Sequence, residues 1–316
     1  MDFKMVRQIL AGLASYVRPL RRAKTEVGGS DDARYCYSVW MRHLVLAHKS
    51  KLPTRYDVIA ELGPGGSLGM GLAGLLSGAR KYTALDIVPF ANCQRNVMIF
   101  DALVEMFRKR EPIPGPEEFP LIRPALNSYE FPRDILTEDM LVESLRDERI
   151  AAIRAAIADD KNMQAANSPV RYCVPWNDPR IIEFDSVDVI FTQAVLEHVD
   201  ALRETYEAMH KWLKAGGFMS HMIDFSCHKE ASRWNGHWAY SDLTWRLIVG
   251  RQTYLINRQP LSVHLRLLEE TGFKLLRKIP CENLNGIRRE QLAPRFAGVT
   301  DEDLRTEGAF LQAVRT

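Results

Sequence analysis

The stretch Val58-Ile59-Ala60-Glu61-Leu62-Gly63-Pro64-Gly65-Gly66-Ser67-Leu68-Gly69 decides how this chain is to be folded. An apolar, β-branched run turns abruptly into glycine. It then continues as Met70-Gly71-Leu72-Ala73-Gly74-Leu75-Leu76, which suits a helix. Strand, tight loop and helix form the opening unit of an α/β nucleotide-binding sheet. Gly63 and Gly65 permit positive φ and let a ligand approach the main chain closely. A second strand, Tyr82-Thr83-Ala84-Leu85, ends in Asp86. That carboxylate lies about 20 residues past the loop, the separation at which an acid takes ribose hydroxyls.

The nature of the nucleotide turns on the loop. A dinucleotide fingerprint, G-x-G-x-x-G/A, requires Gly or Ala at position 68, which is Leu68. Pro64 sits inside the turn. Glu61, at the strand end, places negative charge where a pyrophosphate would be repelled and an ammonium or sulfonium welcomed. This pattern resembles motif I, E/D-x-G-x-G-x-G, of the class I S-adenosylmethionine-dependent methyltransferases, with Ser67 in place of the third glycine. The resemblance extends to Asp188 before a fourth strand, to Leu196-Glu197-His198 after it, and to the Leu213-Lys214-Ala215-Gly216-Gly217 lead-in to a fifth. It implies a Rossmann-like, seven-stranded, mostly parallel sheet with helices on both faces and an antiparallel last strand. It also implies S-adenosyl-L-methionine as cofactor, held by Glu61, Gly63, Pro64, Gly65, Gly66, Ser67, Asp86, Ile87 and Gln193.

The chain has 316 residues, enough for one large α/β domain with additions. A hydrophobic fraction of 46% and a charged fraction of 26% are those of an ordinary globular protein with a self-sufficient core. A formal net charge of +2 does not nominate nucleic acid as a partner. Five scattered cysteines without a C-x-x-C pair argue for reduced thiols, a cytoplasmic setting and no structural zinc. The apolar Ile9–Val17 run, followed by Arg18, Arg21, Arg22 and Lys24, reads as a docking helix or a tail, with peripheral membrane contact the lesser alternative.

Apolar spacing predicts a helix over 33–49, within a helical N-terminal cap of residues 1–50. The methyltransferase domain is expected over 51–316. Strands are expected at 56–62, 81–86, 170–174, 186–192 and 218–224, with helices at 68–78, 90–108 and 200–213. The segment 95–168, proline-rich over 111–133 and helical beyond 137, is too long for a bare loop. It reads as an ordered insertion, either a lid or homodimer element or helical dressing of the sheet. Pro260–Gly272 reads as a helix with a glycine stop, followed by strands at 274–279 and 308–315.

In an open parallel sheet, ligands bind beyond the carboxyl ends of the strands. The candidates there are the β1 loop, Asp86, Trp176–Asp178 beside an adenine, Gln193–His198, and Asp224–His228. A hydroxyl acceptor of a methyl group must lose a proton, and His228 oriented by Asp224 is the expected general base. His221, inside the strand, and His198, within its loop, are expected to be structural. Two histidines and an aspartate can alternatively hold a divalent metal, but their spacing matches no standard motif, and no metal is expected. Trp234, His237, Trp238, Tyr240 and Trp245 mark 229–258 as an aromatic acceptor-side segment or as core. Arg246, Arg251, Asn257 and Arg258 offer anion contacts there. Together with Trp40-Met41-Arg42-His43, these features resemble bacterial methyltransferases that tailor sugars and surface polysaccharides, which implies O-methylation of a glycosyl acceptor. Methylation of a small-molecule nitrogen, carbon or carboxylate, a NAD-dependent sugar oxidoreductase or epimerase, and a non-catalytic relative are the alternatives.

Overall fold

The computed structural model describes residues 3–17, 29–165, 167–176, 178–252 and 255–316. Its strands are β1 (Val58–Leu62), β2 (Lys81–Leu85), β3 (Val170–Cys173), β4 (Val187–Gln193), β5 (Leu213–Asp224), β6 (Phe273–Glu282) and β7 (Thr306–Arg315). They form one seven-stranded sheet in the order β3-β2-β1-β4-β5-β7-β6. The first five run parallel, and β7 is antiparallel to both β5 and β6. This is the expected mostly parallel sheet with an antiparallel last strand. β1 lies between β2 and β4, so chain order reverses there and opens a crevice at the carboxyl ends. The parallel strands carry helices on both faces. Their apolar runs are therefore continuous rather than alternating, and in β1 only Val58 is less than fully buried.

The helices are α1 (Phe3–Val17), α2 (Ala33–Lys49), α3 (Gly69–Leu76), α4 (Cys93–Lys109), α5 (Glu138–Ser144), α6 (Asp147–Ile157), α7 (Asp160–Met163), α8 (Leu202–Trp212), α9 (Asp242–Val249) and α10 (Leu261–Glu270). Asp32 caps α2 by accepting the Arg34 amide at 2.7 Å. The residues expected to form one N-terminal cap divide between two places. α2 is a core helix, with Trp40 set edge-on to Phe191 at 5.2 Å and to Tyr56 at 6.2 Å. α1 instead docks on α9, where Ser15 Oγ accepts the Arg251 amide at 2.7 Å. Arg18, Arg21, Arg22 and Lys24 lie outside the described residues. No described helix is long and apolar enough to cross a membrane.

The segment 95–168 dresses the sheet. Ile113, Ile122, Leu126, Phe131, Ile135 and Leu136 are buried in the same core as α2. Arg42, 2% exposed, anchors the proline-rich part. Its guanidinium donates to the carbonyls of Pro124 at 3.1 Å, Ser38 at 3.0 Å and Pro114 at 3.4 Å, and lies 5.4 Å from the Tyr129 ring.

One local expectation changes in detail. The Leu213–Gly217 lead-in is absorbed into β5 as an irregularity, pairing with β4 at Val187–Leu213 and resuming at Val189–Phe218. Gly216, at φ +76°, makes this possible. His221 is in the core as expected, with Nδ1 2.9 Å from Thr192 Oγ1.

Candidate active site

A cavity of about 810 Å³ opens at the carboxyl ends of β1, β2 and β4. Gly63, Pro64 and Gly65 form one wall, and Asp86, Ile87 and Gln193 contribute to others. The loop conformation demands its glycines. Gly63 and Gly65 have φ of +66° and +71°. A Cβ on Gly63 would lie 2.6 Å from the Val195 side chain. Asp86 follows the end of β2 and is 6% exposed. Its Oδ1 accepts the Ile87 amide at 2.7 Å, and burial raises its pKa despite this contact and others from main-chain amides. Trp176 and Phe90 also line the cavity. Asp178 is instead engaged with Arg180 at 2.7 Å, and Asn177 lies outside the described residues.

Three residues expected at the cofactor do not reach this wall. Glu61 is fully buried behind the loop, where its Oε2 accepts the Tyr82 hydroxyl. Burial pushes its pKa up to about 8. Its carboxyl group faces a phenol through Oε2, and its Oε1 has no hydrogen-bond partner. Gly66 and Ser67 face the segment ahead of α2. The Gly66 amide donates to Ser30 Oγ at 2.8 Å, and Ser67 Oγ donates to the Ser30 carbonyl.

The start of α3 is closed in the same way. The Leu68 amide donates to Asn96 Oδ1 at 3.0 Å, and the Gly69 amide to Ser67 Oγ at 3.0 Å. A dinucleotide pyrophosphate needs the amides at this helix N-terminus. Here the amides of the N-cap Leu68 and of Gly69 are engaged within the protein. Ser30 and Tyr35 line the cavity from the N-terminal side. The sequence reading named neither as a site residue, although Tyr35 falls in its expected helix over 33–49.

At the other end of the cavity the turns after β4 and β5 meet. His228 Nε2 lies 3.1 Å from Asp224 Oδ2, and the Ser226 amide donates to Asp224 Oδ1 at 2.7 Å. This is the expected His–Asp pair, and His228 lines the cavity. His198 also lines it, with its ring centroid 5.0 Å from that of His228. The turn carrying His198 is fixed by Asn257. Its amide donates to the Glu197 carbonyl at 2.6 Å, and its Nδ2 to the carbonyls of Leu196 and Val199, each at 2.8 Å.

A second cavity of about 640 Å³ shares Ile87, His198 and Asp200 with the first. Trp245, Val249, Ile256, Asn257 and Arg258 help to line it, which places Trp245 of the aromatic segment in a cavity that His198 shares. Arg258 is a structural cation. It donates to Asp242 at 2.9 Å and to the Tyr240 carbonyl at 2.9 Å, and is sandwiched between Trp245 and Phe296. Arg295 reaches the same Asp242 oxygen at 3.0 Å, so two guanidinium groups share one carboxylate at this rim. Arg246 and Arg251 are not among the lining residues. Arg246 turns back to its own helix, and Arg251 lies over Tyr16 of α1.

No family model and no curated protein matches this chain. Solved structures similar to it include an S-adenosylmethionine-dependent methyltransferase from Mesorhizobium loti, at 12% identity and TM-score 0.40, covering 86% of this chain and 98% of that one. Another is a SAM-dependent methyltransferase from Methanosarcina mazei, at 13% identity and TM-score 0.43, covering 85% and 96%. A third is the phosphoethanolamine N-methyltransferase 2 of Haemonchus contortus in complex with S-adenosyl-L-methionine, at 13% identity and TM-score 0.42, covering 90% and 57%. Likeness at this level assigns neither activity nor ligand, and both rest on the site itself.

Proposed function

We propose that this chain is an S-adenosylmethionine-dependent methyltransferase that methylates an oxygen of a sugar or other glycosyl acceptor. One observation carries the choice of cofactor. Gly63, Gly65 and Asp86 line one cavity, whereas the amides of Leu68 and Gly69 at the start of α3 are bonded to Asn96 and Ser67. This favours a ligand that uses a glycine wall and a carboxylate over one that needs a pyrophosphate cradle. Gly63, Pro64 and Gly65 would take the methionine portion, Asp86 the ribose hydroxyls, and Ile87, Phe90 and Trp176 the faces of the adenine.

The acceptor belongs in the second cavity, where Trp245 supplies an aromatic face. In-line transfer to a hydroxyl forms the O–CH3 bond as the C–S bond breaks, and the sulfonium charge is lost. The protein's tasks are positioning, exclusion of water and removal of the hydroxyl proton. In the ion-free protein we assign removal of that proton to His228, held by Asp224 at 3.1 Å.

Calorimetry with S-adenosylmethionine, S-adenosylhomocysteine and NAD tests the cofactor. One-to-one binding of the first two and none of the third is expected, and binding of NAD alone would overturn the proposal. Tritiated methyl transfer to a panel of nucleotide sugars tests the acceptor class.

A further inference from the structure

The meeting of the β4 and β5 turns holds a group that methyl transfer as described above does not use. Glu197 is 2% exposed, and neither of its carboxylate oxygens has a hydrogen-bond partner. A buried acceptor left unsatisfied costs about 1–3 kcal/mol, and more when charged. One ligand atom from each of Glu197, His198 and His228 lies within 4.8 Å of the other two. Asp224 stands behind His228 at 3.1 Å, the carboxylate-on-imidazole arrangement common behind metal-bound histidines. The Asn257 clamp fixes the turn that bears Glu197 and His198 independently of any ligand.

We infer that Glu197, His198 and His228 bind a divalent transition-metal ion at the junction of the two cavities. Two imidazoles and one carboxylate suit Zn2+ or Mn2+. Mg2+ and Ca2+ prefer oxygen donors throughout. Three protein ligands leave coordination positions open for a small molecule. His198 lines both cavities, so the ion borders the proposed acceptor space.

The inference deepens the proposed function and rests on it only for the chemistry. With the ion bound, His228 is a ligand and no longer a base. The ion would make a coordinated acceptor hydroxyl more acidic, its proton leaving to solvent by way of the second cavity before the methyl group is transferred. The acceptor oxygen then forms the bond to the methyl carbon, and the electrons of the broken C–S bond stay on sulfur as a neutral thioether.

The test uses the full chain stripped with chelator and titrated calorimetrically with ZnCl2, MnCl2 and MgCl2, with bound metal counted by mass spectrometry. One Zn2+ or Mn2+ per chain is expected, with Mg2+ at least tenfold weaker. Glu197→Gln and His228→Asn should each weaken Zn2+ binding at least tenfold. Asp224→Asn should weaken it less, and the surface variant His48→Ala should leave it unchanged. Circular dichroism confirms folding. If Glu197→Gln fails to fold, His228→Asn on the exposed turn decides alone. No stoichiometric ion, or equal affinity in folded Glu197→Gln and His228→Asn, overturns the inference. S-adenosylmethionine binding measured on the same samples separates the two claims. A metal-free chain that still binds the cofactor sinks the metal site alone, and a metal-binding chain that ignores the cofactor sinks the methyl-transfer reading alone.

Discussion

The Gly66 amide donates to Ser30 Oγ at 2.8 Å, so a residue ahead of α2 closes the loop between β1 and α3. The Ser30 carbonyl also accepts the Ser67 hydroxyl. Ser30→Ala removes the first contact and leaves a buried amide without its partner. The expected loss is about 1 kcal/mol of stability, with weaker S-adenosylmethionine binding. Denaturant titration and calorimetry check both, and an unchanged denaturation midpoint would mean that the loop holds its shape without this contact.

Gly63→Ala should be more damaging. The added Cβ meets Val195 at 2.6 Å on a backbone with φ of +66°. The left-handed conformation alone costs about 1–2 kcal/mol for a residue with a side chain. A folded variant with cofactor affinity reduced tenfold or more is expected. Retention of the parent's affinity would show that the loop can relax without disturbing the cavity wall.

Asp86→Ala removes the carboxylate assigned to the ribose hydroxyls. Charge-assisted hydrogen bonds of this kind contribute about 1.5–3 kcal/mol, so affinity for S-adenosylhomocysteine should drop by roughly tenfold or more. Unaltered affinity would refute the ribose assignment.

The pH dependence of stability has two opposing limbs. Burial lowers the pKa of His43 and of His264 from 6.5 to about 3. Below pH 6.5 the unfolded chain binds protons that the folded chain refuses, so this contribution is complete above 6.5 and fades as pH falls toward 3. Glu61 acts in the other direction. Its folded pKa is raised from 4.5 to about 8, so between these values the folded chain keeps a proton that the unfolded chain releases. Its contribution is complete below 4.5 and is lost as pH rises through 8. Glu61→Gln should lessen the alkaline limb, to which buried Glu197 and Glu230 also contribute, and leave the acid limb intact. Melting midpoints from about pH 4 to about pH 9 report both limbs, and superimposable profiles would discard the Glu61 term.

The turn from β1 into α3, Asp86 at the β2 tip and the His–Asp pair after β5 were legible because each rests on local spacing at a strand end. The orientation of Glu61 was not. β1 is buried on both faces, so no apolar–polar alternation marks the side from which its carboxyl group projects. The partners of Arg42 are main-chain carbonyls, which leave no mark on side-chain chemistry. Nothing in the proline-rich segment therefore announced that it would be tied to α2. Arg258 looked like an anion ligand because a cation before a helix offers no hint that Asp242 and two aromatic rings already hold it. A lid over the first cavity was expected of 95–168 as one possibility, yet none of the residues lining that cavity comes from this segment.

The docking of α1 on α9 braces the wall of the second cavity. α9 contributes Trp245 and Val249 to the second cavity, whereas the glycine loop is braced by Ser30 and Asn96. The first helix is thus a buttress for the second cavity, and on the proposed function its loosening would be felt in acceptor capture.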